Sequence, residues 1–308
     1  MSLLRITSNC LLLIALLSFA RTAQAQTAQR VFTLGVAYTL KSKQAVLKFQ
    51  KEMASVPQLN NSFVLKTYAV TDNSIPCYNP PNSRLLACNK EEEFLKFKNQ
   101  NNLDGFVAFT HLASGGKGST DVSVVGGDAY YKNALHEFLH QIGFDDEYSY
   151  DGIDSGFGAY KCSSGQRQNS VNVIYQDFSK LRFSSEQQAR TYLVQRIPWV
   201  RLIPSYVKIV KPDGTLGTPT GVYPPGTLGL FRGGGCDKYI SGWMAQEHSV
   251  MNKNTDLPLK AVMTPYYINL IRQALKNKLA SPPSFDWSTP QRKADHRTFD
   301  QIKNGTAR

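Results

Sequence analysis

Along the first half of the chain, apolar positions alternate between the two-residue period of a strand and the three-to-four-residue period of a helix. Val31 to Leu40 is apolar and β-rich, and Ser42 to Val56 then carries Val46, Phe49, Met53 and Val56 at helical spacing, with Ser42 as N-cap. Phe63 to Val70 predicts a second strand. Glu91 to Asn101 predicts a short amphipathic helix whose three leading glutamates suit the positive end of the helix dipole. Asp104 to Leu112 predicts a third strand. After a Gly115-Gly116 turn, Thr120 to Val125 predicts a fourth, assigned to the sheet edge. A helix follows from about Asp128 to Ile142, with Leu135, Phe138, Leu139 and Ile142 as its apolar stripe. The pattern predicts an α/β (α+β) fold, a small twisted sheet backed by helices with the last helix packed beneath it.

The second half is harder to read. Residues 149 to 245 are rich in Gly, Ser, Pro and Tyr and predict irregular chain, with strands only at Tyr206 to Val210 and Gly229 to Phe231. Met263 to Leu279 restores a helical pattern through Ile268, Leu270, Ile271 and Leu275. Ser281 to Arg308 is a polar tail without apolar period.

Composition adds a compartment. Arg5, the apolar run Leu11 to Ala20 and the small-x-small site Ala23-Gln24-Ala25 form a secretory leader over residues 1–25. No later apolar run has membrane length, so an exported chain, periplasmic or secreted, without stable membrane insertion is expected. Removing the leader takes Cys10 from the five cysteines and leaves Cys77, Cys88, Cys162 and Cys236, an even set that predicts two disulfides. Of the three possible pairings we favour Cys77 with Cys88 and Cys162 with Cys236. The formal charge of +12 implies attraction to acidic surfaces, but the basic residues are scattered and no nucleic-acid motif is present, so nucleic acid is not expected as a partner.

The candidate chemistry lies in His136-Glu137-Phe138-Leu139-His140-Gln141-Ile142-Gly143-Phe144-Asp145-Asp146-Glu147-Tyr148. On a helix, His136 and His140 stand one turn apart on one face, where both imidazoles reach one zinc ion at about 2.0–2.1 Å. Glu137 lies about 100° round the helix, close to the metal but not on it, as a general base must be. Gly143 can take positive φ, end the helix and turn the chain back so that Asp146 supplies a third ligand. Three ligands and one open position characterise a catalytic zinc rather than a structural one. His111, at a strand end, reads as structural.

The pattern His136, Glu137, His140, Gly143, Asp146, with Ser249-Val250-Met251 ahead of a C-terminal helix, resembles the metzincin zinc metallopeptidases. Within that clan the chain is most similar to the bacterial IgA-protease-like metallopeptidase family, through its His-Glu-Phe opening, Asp146-Glu147-Tyr148, Ile197-Pro198-Trp199, and Gly229 to Gly234 followed by Tyr239. The resemblance covers about residues 100 to 280. It implies a metzincin-like sheet, an active-site helix, a methionine turn beneath the metal and a C-terminal helix, in one catalytic domain over residues 26–280. Relative to that family the stretch after Gly143 is compressed, so Glu147 competes with Asp146 as third ligand, Asp146 being favoured. The cysteine that family often shows before its methionine turn is absent.

Together these features predict a secreted zinc endopeptidase acting on protein or glycoprotein substrates, with Glu137 as general base, an optimum near or above neutral pH, and Tyr148 or Tyr239 donating to the oxyanion. Two alternatives are a metallohydrolase of cell-envelope peptides and an exported, non-catalytic glycan- or protein-binding module on the same scaffold. The intact Glu137 argues against the binder.

Overall fold

The computed structural model describes residues 30–79, 86–89, 91–118, 121–126, 131–149, 162, 170–237, 241–252 and 257–280. The leader at 1–25 and the tail at 281–308 lie outside the described residues. Contacts divide the chain into Met1–Val31 and Phe32–Arg308, and the second unit holds the sheets and helices. Among the described residues no helix is long and apolar enough to cross a membrane.

A mixed five-stranded sheet forms the first half. Its strands are β1 (Phe32–Thr39), β2 (Phe63–Val70), β5 (Gly105–Thr110), β6 (Gly115–Gly118) and β7 (Val122–Gly126), in the spatial order β2-β1-β5-β7-β6. β1 pairs in parallel with β2 and β5, β5 in parallel with β7, and β6 closes antiparallel onto β7. All six residues of β5 are buried, as the centre of a sheet covered on both faces requires. Helix α1 (Lys43–Ala54) buries Ala45, Val46, Phe49 and Met53 against one face. Helix α2 (Glu91–Gln100) covers the other with Phe94 and Leu95, beside the two-stranded ladder β3 (Cys77–Tyr78) and β4 (Ala87–Cys88), which the Cys77–Cys88 disulfide closes.

The edge of this sheet differs from the sequence expectation. Thr120 to Val125 was expected at the edge, but Val122–Gly126 lies between β5 and β6 with every residue buried, and the edge is Gly115–Gly118, of which Gly115-Gly116 had been expected as a turn. Glycines weaken a strand intrinsically, so the run Gly-Gly-Lys-Gly carries no strand signal. They stand there because side chains of the adjoining helix occupy the space.

That helix, α3 (Tyr131–Gln141), packs Phe138 against Phe32 and Phe63 with ring centroids 5.7 and 5.6 Å apart. Its last residue is also fastened to the sheet. The Gln141 amide donates to the Phe106 carbonyl (2.8 Å) and the Ser123 hydroxyl (2.7 Å), and accepts from the Phe106 N–H (3.1 Å). Ser123 in turn donates to the Glu137 carbonyl (2.8 Å), so the helix is held at two successive turns.

The middle segment is more ordered than its composition predicts. It holds β8 (Val173–Tyr175), helix α4 (Glu186–Leu193), β9 (Leu228–Arg232) and β10 (Gly242–Gln246), with an antiparallel sheet in the order β8-β10-β9. A second apolar core gathers there around Trp199, Trp243, Ile197, Val207, Ile209 and Leu230. The strand expected at Gly229 to Phe231 is present as β9, whereas β8 and β10, of three and five residues, are too short to show a period, which hid them in the sequence. The expected strand at Tyr206 to Val210 does not form beyond an isolated bridge from Val210 to Leu216. Its alternation is genuine, since Val207 and Ile209 are buried, but the N–H groups of Ile209 and Val210 donate to the Glu186 carboxylate (3.1 and 3.0 Å) instead of a strand partner. Helix α5 (Pro265–Ala280) closes the first core with Tyr267, Ile268, Ile271 and Leu275, and Cys162–Cys236 is the second disulfide.

Gln141→Leu keeps the volume but withdraws donor and acceptor from Phe106 and Ser123. It is expected to lower unfolding free energy by about 2–4 kcal/mol in chemical denaturation, and a loss below about 1 kcal/mol would contradict this anchoring role.

Candidate metal centre

Helix α3 ends by a local rule. Gly143 sits at φ +97, the Phe144 N–H donates to the Leu139 carbonyl (3.1 Å) and the Gly143 N–H to the His140 carbonyl (3.2 Å), the paired bonds of a Schellman cap. The reversal carries Phe144 to Glu147 back across the exit of the helix.

The two histidines are oriented from behind. The Nδ1 of His136 lies 2.9 Å from the Val250 carbonyl and that of His140 lies 3.0 Å from the Phe144 carbonyl. A carbonyl only accepts, so each Nδ1 carries the proton and leaves Nε2 as the basic nitrogen in the neutral ring. Both Nε2 atoms converge on the same carboxylate oxygen, Asp146 Oδ1, at 3.0 Å from His136 and 3.3 Å from His140. One donor atom from each of the three residues lies within 4.8 Å of the others, so the group could hold a metal ion. Two imidazoles and one carboxylate form a donor set suited to a divalent transition metal.

Electrostatics agree with a site built for a cation. Burial works to lower the His136 pKa, but the hydrogen bond and charge of Asp146, the charge of Glu137 and the Val250 carbonyl outweigh it and raise it to about 9. Burial likewise opposes ionisation of Asp146, yet the hydrogen bonds and charges of both histidines hold it well below the usual carboxylate range. A proton on His136 thus does in part what a bound cation would do. Glu137 is buried beside the cluster, and that burial raises its pKa against the opposing charges of His136 and His140.

Above Glu137 runs the glycine edge. A Cβ added to Gly116 would overlap the Glu137 carboxylate, and one added to Gly118 would stand 2.7 Å from Glu137 Oε2 and 2.9 Å from His140 Cδ2. No other residue lets β6 pass so close, and the Lys117 side chain, which strand alternation sends to the opposite face, pairs there with Glu91.

Glu147, the alternative third ligand, is committed elsewhere. Its carboxylate accepts from the Ser249 hydroxyl, from Asn172 Nδ2 (3.0 Å) and from the Tyr267 hydroxyl (3.2 Å), and its N–H donates to the Met251 carbonyl (3.0 Å). Burial nevertheless pushes its pKa up to about 7 against those hydrogen bonds. Met251 is fully buried in the turn whose Val250 carbonyl orients His136, so this turn supports the centre from below. The Tyr148 ring stacks on His136, centroids 6.3 Å apart at 20°. Tyr239 lies outside the described residues. His111 bonds to Thr39 Oγ1 (3.1 Å), away from the cluster.

Sequence reading missed Asn172 and Tyr175. The Asn172 amide accepts from the Asp145 N–H and donates to the Asp145 carbonyl, both at 2.8 Å, while the Tyr175 hydroxyl donates to Asp145 Oδ2 (2.7 Å). Nothing local in the sequence marks either residue, because both act on a segment about 30 positions away.

One divalent ion per chain is expected on metal analysis, with loss of that ion in Asp146→Ala. Because metal-free His136 keeps its proton up to about pH 9, metal uptake must release it, and affinity is expected to rise about tenfold per pH unit below that value. Affinity that stays flat from pH 6 to pH 8 would contradict the assignment of His136. No family model, curated protein or solved structure matches the chain.

Proposed function

We propose that the protein is a metzincin-type zinc endopeptidase of an exported compartment that hydrolyses peptide bonds in protein or glycoprotein substrates. The observation that carries this is the buried Glu137 carboxylate standing beside the convergent donors of His136, His140 and Asp146, under an unobstructed glycine edge. A purely structural metal site has no use for an uncoordinated carboxylate at its side, and a binding module has no use for a general base.

Zinc held by these three residues would supply Lewis acidity toward the scissile carbonyl and a lowered pKa for attacking water. Glu137 would accept a proton on its carboxylate from the attacking water and return it to the departing amine, and its burial, by raising proton affinity, favours the first of these. Among the described residues β6 is the outermost strand of its sheet, so its outer side can pair with an extended peptide and lay the scissile bond across the cluster. Tyr148, whose ring stacks on His136, is the tyrosine we assign to the oxyanion. The two disulfides fit export into an oxidising compartment.

Incubation with an unbiased peptide mixture, with and without a chelator, tests the reading. Cleavage that requires metal is expected, and a zinc-loaded, folded protein that cleaves nothing would leave the binding alternative. Glu137→Gln is expected to keep one zinc per chain and lose about 10²–10⁴-fold in turnover; undiminished turnover would end the mechanism. Gly116→Ala is also expected to lower kcat while retaining zinc, since the added methyl displaces Glu137 or the edge strand.

A further inference from the structure

The three ligands are not held with equal economy. His136 and His140 need only an intact helix and one carbonyl each, whereas Asp146 stands in a loop whose position no helix or strand dictates. What fixes the loop is a set of groups supplied by the second core and the turn at Met251. The Gly235 N–H donates to the Asp146 carbonyl and the Gly234 N–H to the Glu147 carbonyl, both at 3.0 Å, and Glu147 is anchored to Met251 as described above.

One side chain grips both neighbours of the ligand. Asn172, 2% exposed, holds the N–H and the carbonyl of Asp145 through the two ends of its amide, and through Nδ2 also reaches Glu147 Oε1 at 3.0 Å. The amide orientation is unambiguous, since only its oxygen can face the Asp145 N–H and only its nitrogen can face a carbonyl and a carboxylate. The Ser170 hydroxyl donates to the same oxygen (3.1 Å), and Val173, next in the chain, begins β8. Asn172 therefore transmits the position of the second core's sheet to the residues on either side of Asp146.

We propose that Asn172 is a positioning residue for the metal carboxylate, setting where Asp146 stands relative to His136 and His140 through its bonds to Asp145 and Glu147. This deepens, and rests on, the metal centre put forward under Proposed function. Its chemistry leaves little freedom for substitution. An aspartate at 172 has the same shape and still accepts from the Asp145 N–H, but presents an oxygen to the Asp145 carbonyl and a second negative charge to Glu147. Alanine removes all of the bonds without adding charge.

The test measures zinc affinity on the full-length protein by competition with a chromophoric chelator, alongside the visible spectrum of the cobalt-substituted form. Asn172→Asp and Asn172→Ala are expected to weaken zinc binding about 10–100-fold and to alter the cobalt spectrum while His136 and His140 remain. Arg190→Ala is the control. It strips donors from the carbonyls of Ile203, Pro204 and Val207, loosening the same core without touching the ligand loop, and should lower the melting temperature with zinc affinity and cobalt spectrum unchanged. If Asn172→Asp does not fold, Asn172→Ala decides. Native zinc affinity in a folded Asn172 variant, or an equal loss in Arg190→Ala, would overturn the proposal. A native protein that binds zinc but cleaves no peptide removes the peptidase reading alone, and one that binds no divalent metal removes both.

Discussion

Two imidazoles and a carboxylate converging on one point inside the protein is the constraint around which the rest is arranged. Outside the fold these groups would be solvated and apart. Inside it, their mutual attraction outweighs the cost of desolvation, as the opposite displacements of His136 and Asp146 proton affinity show. Such a cluster is tolerable only with good geometry and with its outward-facing atoms satisfied. The structure meets that condition by turning each Nδ1 toward a carbonyl and saturating the backbone on both sides of Asp146.

The same constraint explains the sheet edge. A helix that brings Glu137 close to the cluster must pass close to a strand, and only glycines on that strand leave room for the carboxylate. The edge has exchanged intrinsic strand preference for proximity. Gln141 and Ser123 hold helix and sheet in register at this contact, which fixes Glu137, the glycines above it and the two histidines relative to one another.

Legibility followed the range of the interactions. Helix α3, its glycine stop and the pairing of His136 with His140 depend on residues within one or two turns, and a sequence read locally contains them. The disulfides Cys77–Cys88 and Cys162–Cys236 were legible because few pairings of four cysteines exist. Of the second core only the strand at Gly229 to Phe231 was, because β8 and β10 are too short to carry a period and Glu186 takes the N–H groups that an alternating run at Val207 and Ile209 would have offered to a neighbour. The glycine edge was misread for the opposite reason, a composition that speaks of turns being imposed by side chains from elsewhere.

The sequence by itself determined the chemistry on offer: two imidazoles at helical spacing, a carboxylate between them, a glycine reversal and an acidic pair beyond it. Which member of the pair faces the histidines was decided by tertiary structure alone. Asp146 and Glu147 are adjacent, carry the same charge and differ by one methylene. Glu147 is drawn away because Asn172, Ser249 and Tyr267, from three distant segments, donate hydrogen bonds to its carboxylate, and with it held there Asp146 faces His136 and His140. No local pattern contains that choice, since it rests on contacts between segments that only the folded chain brings together.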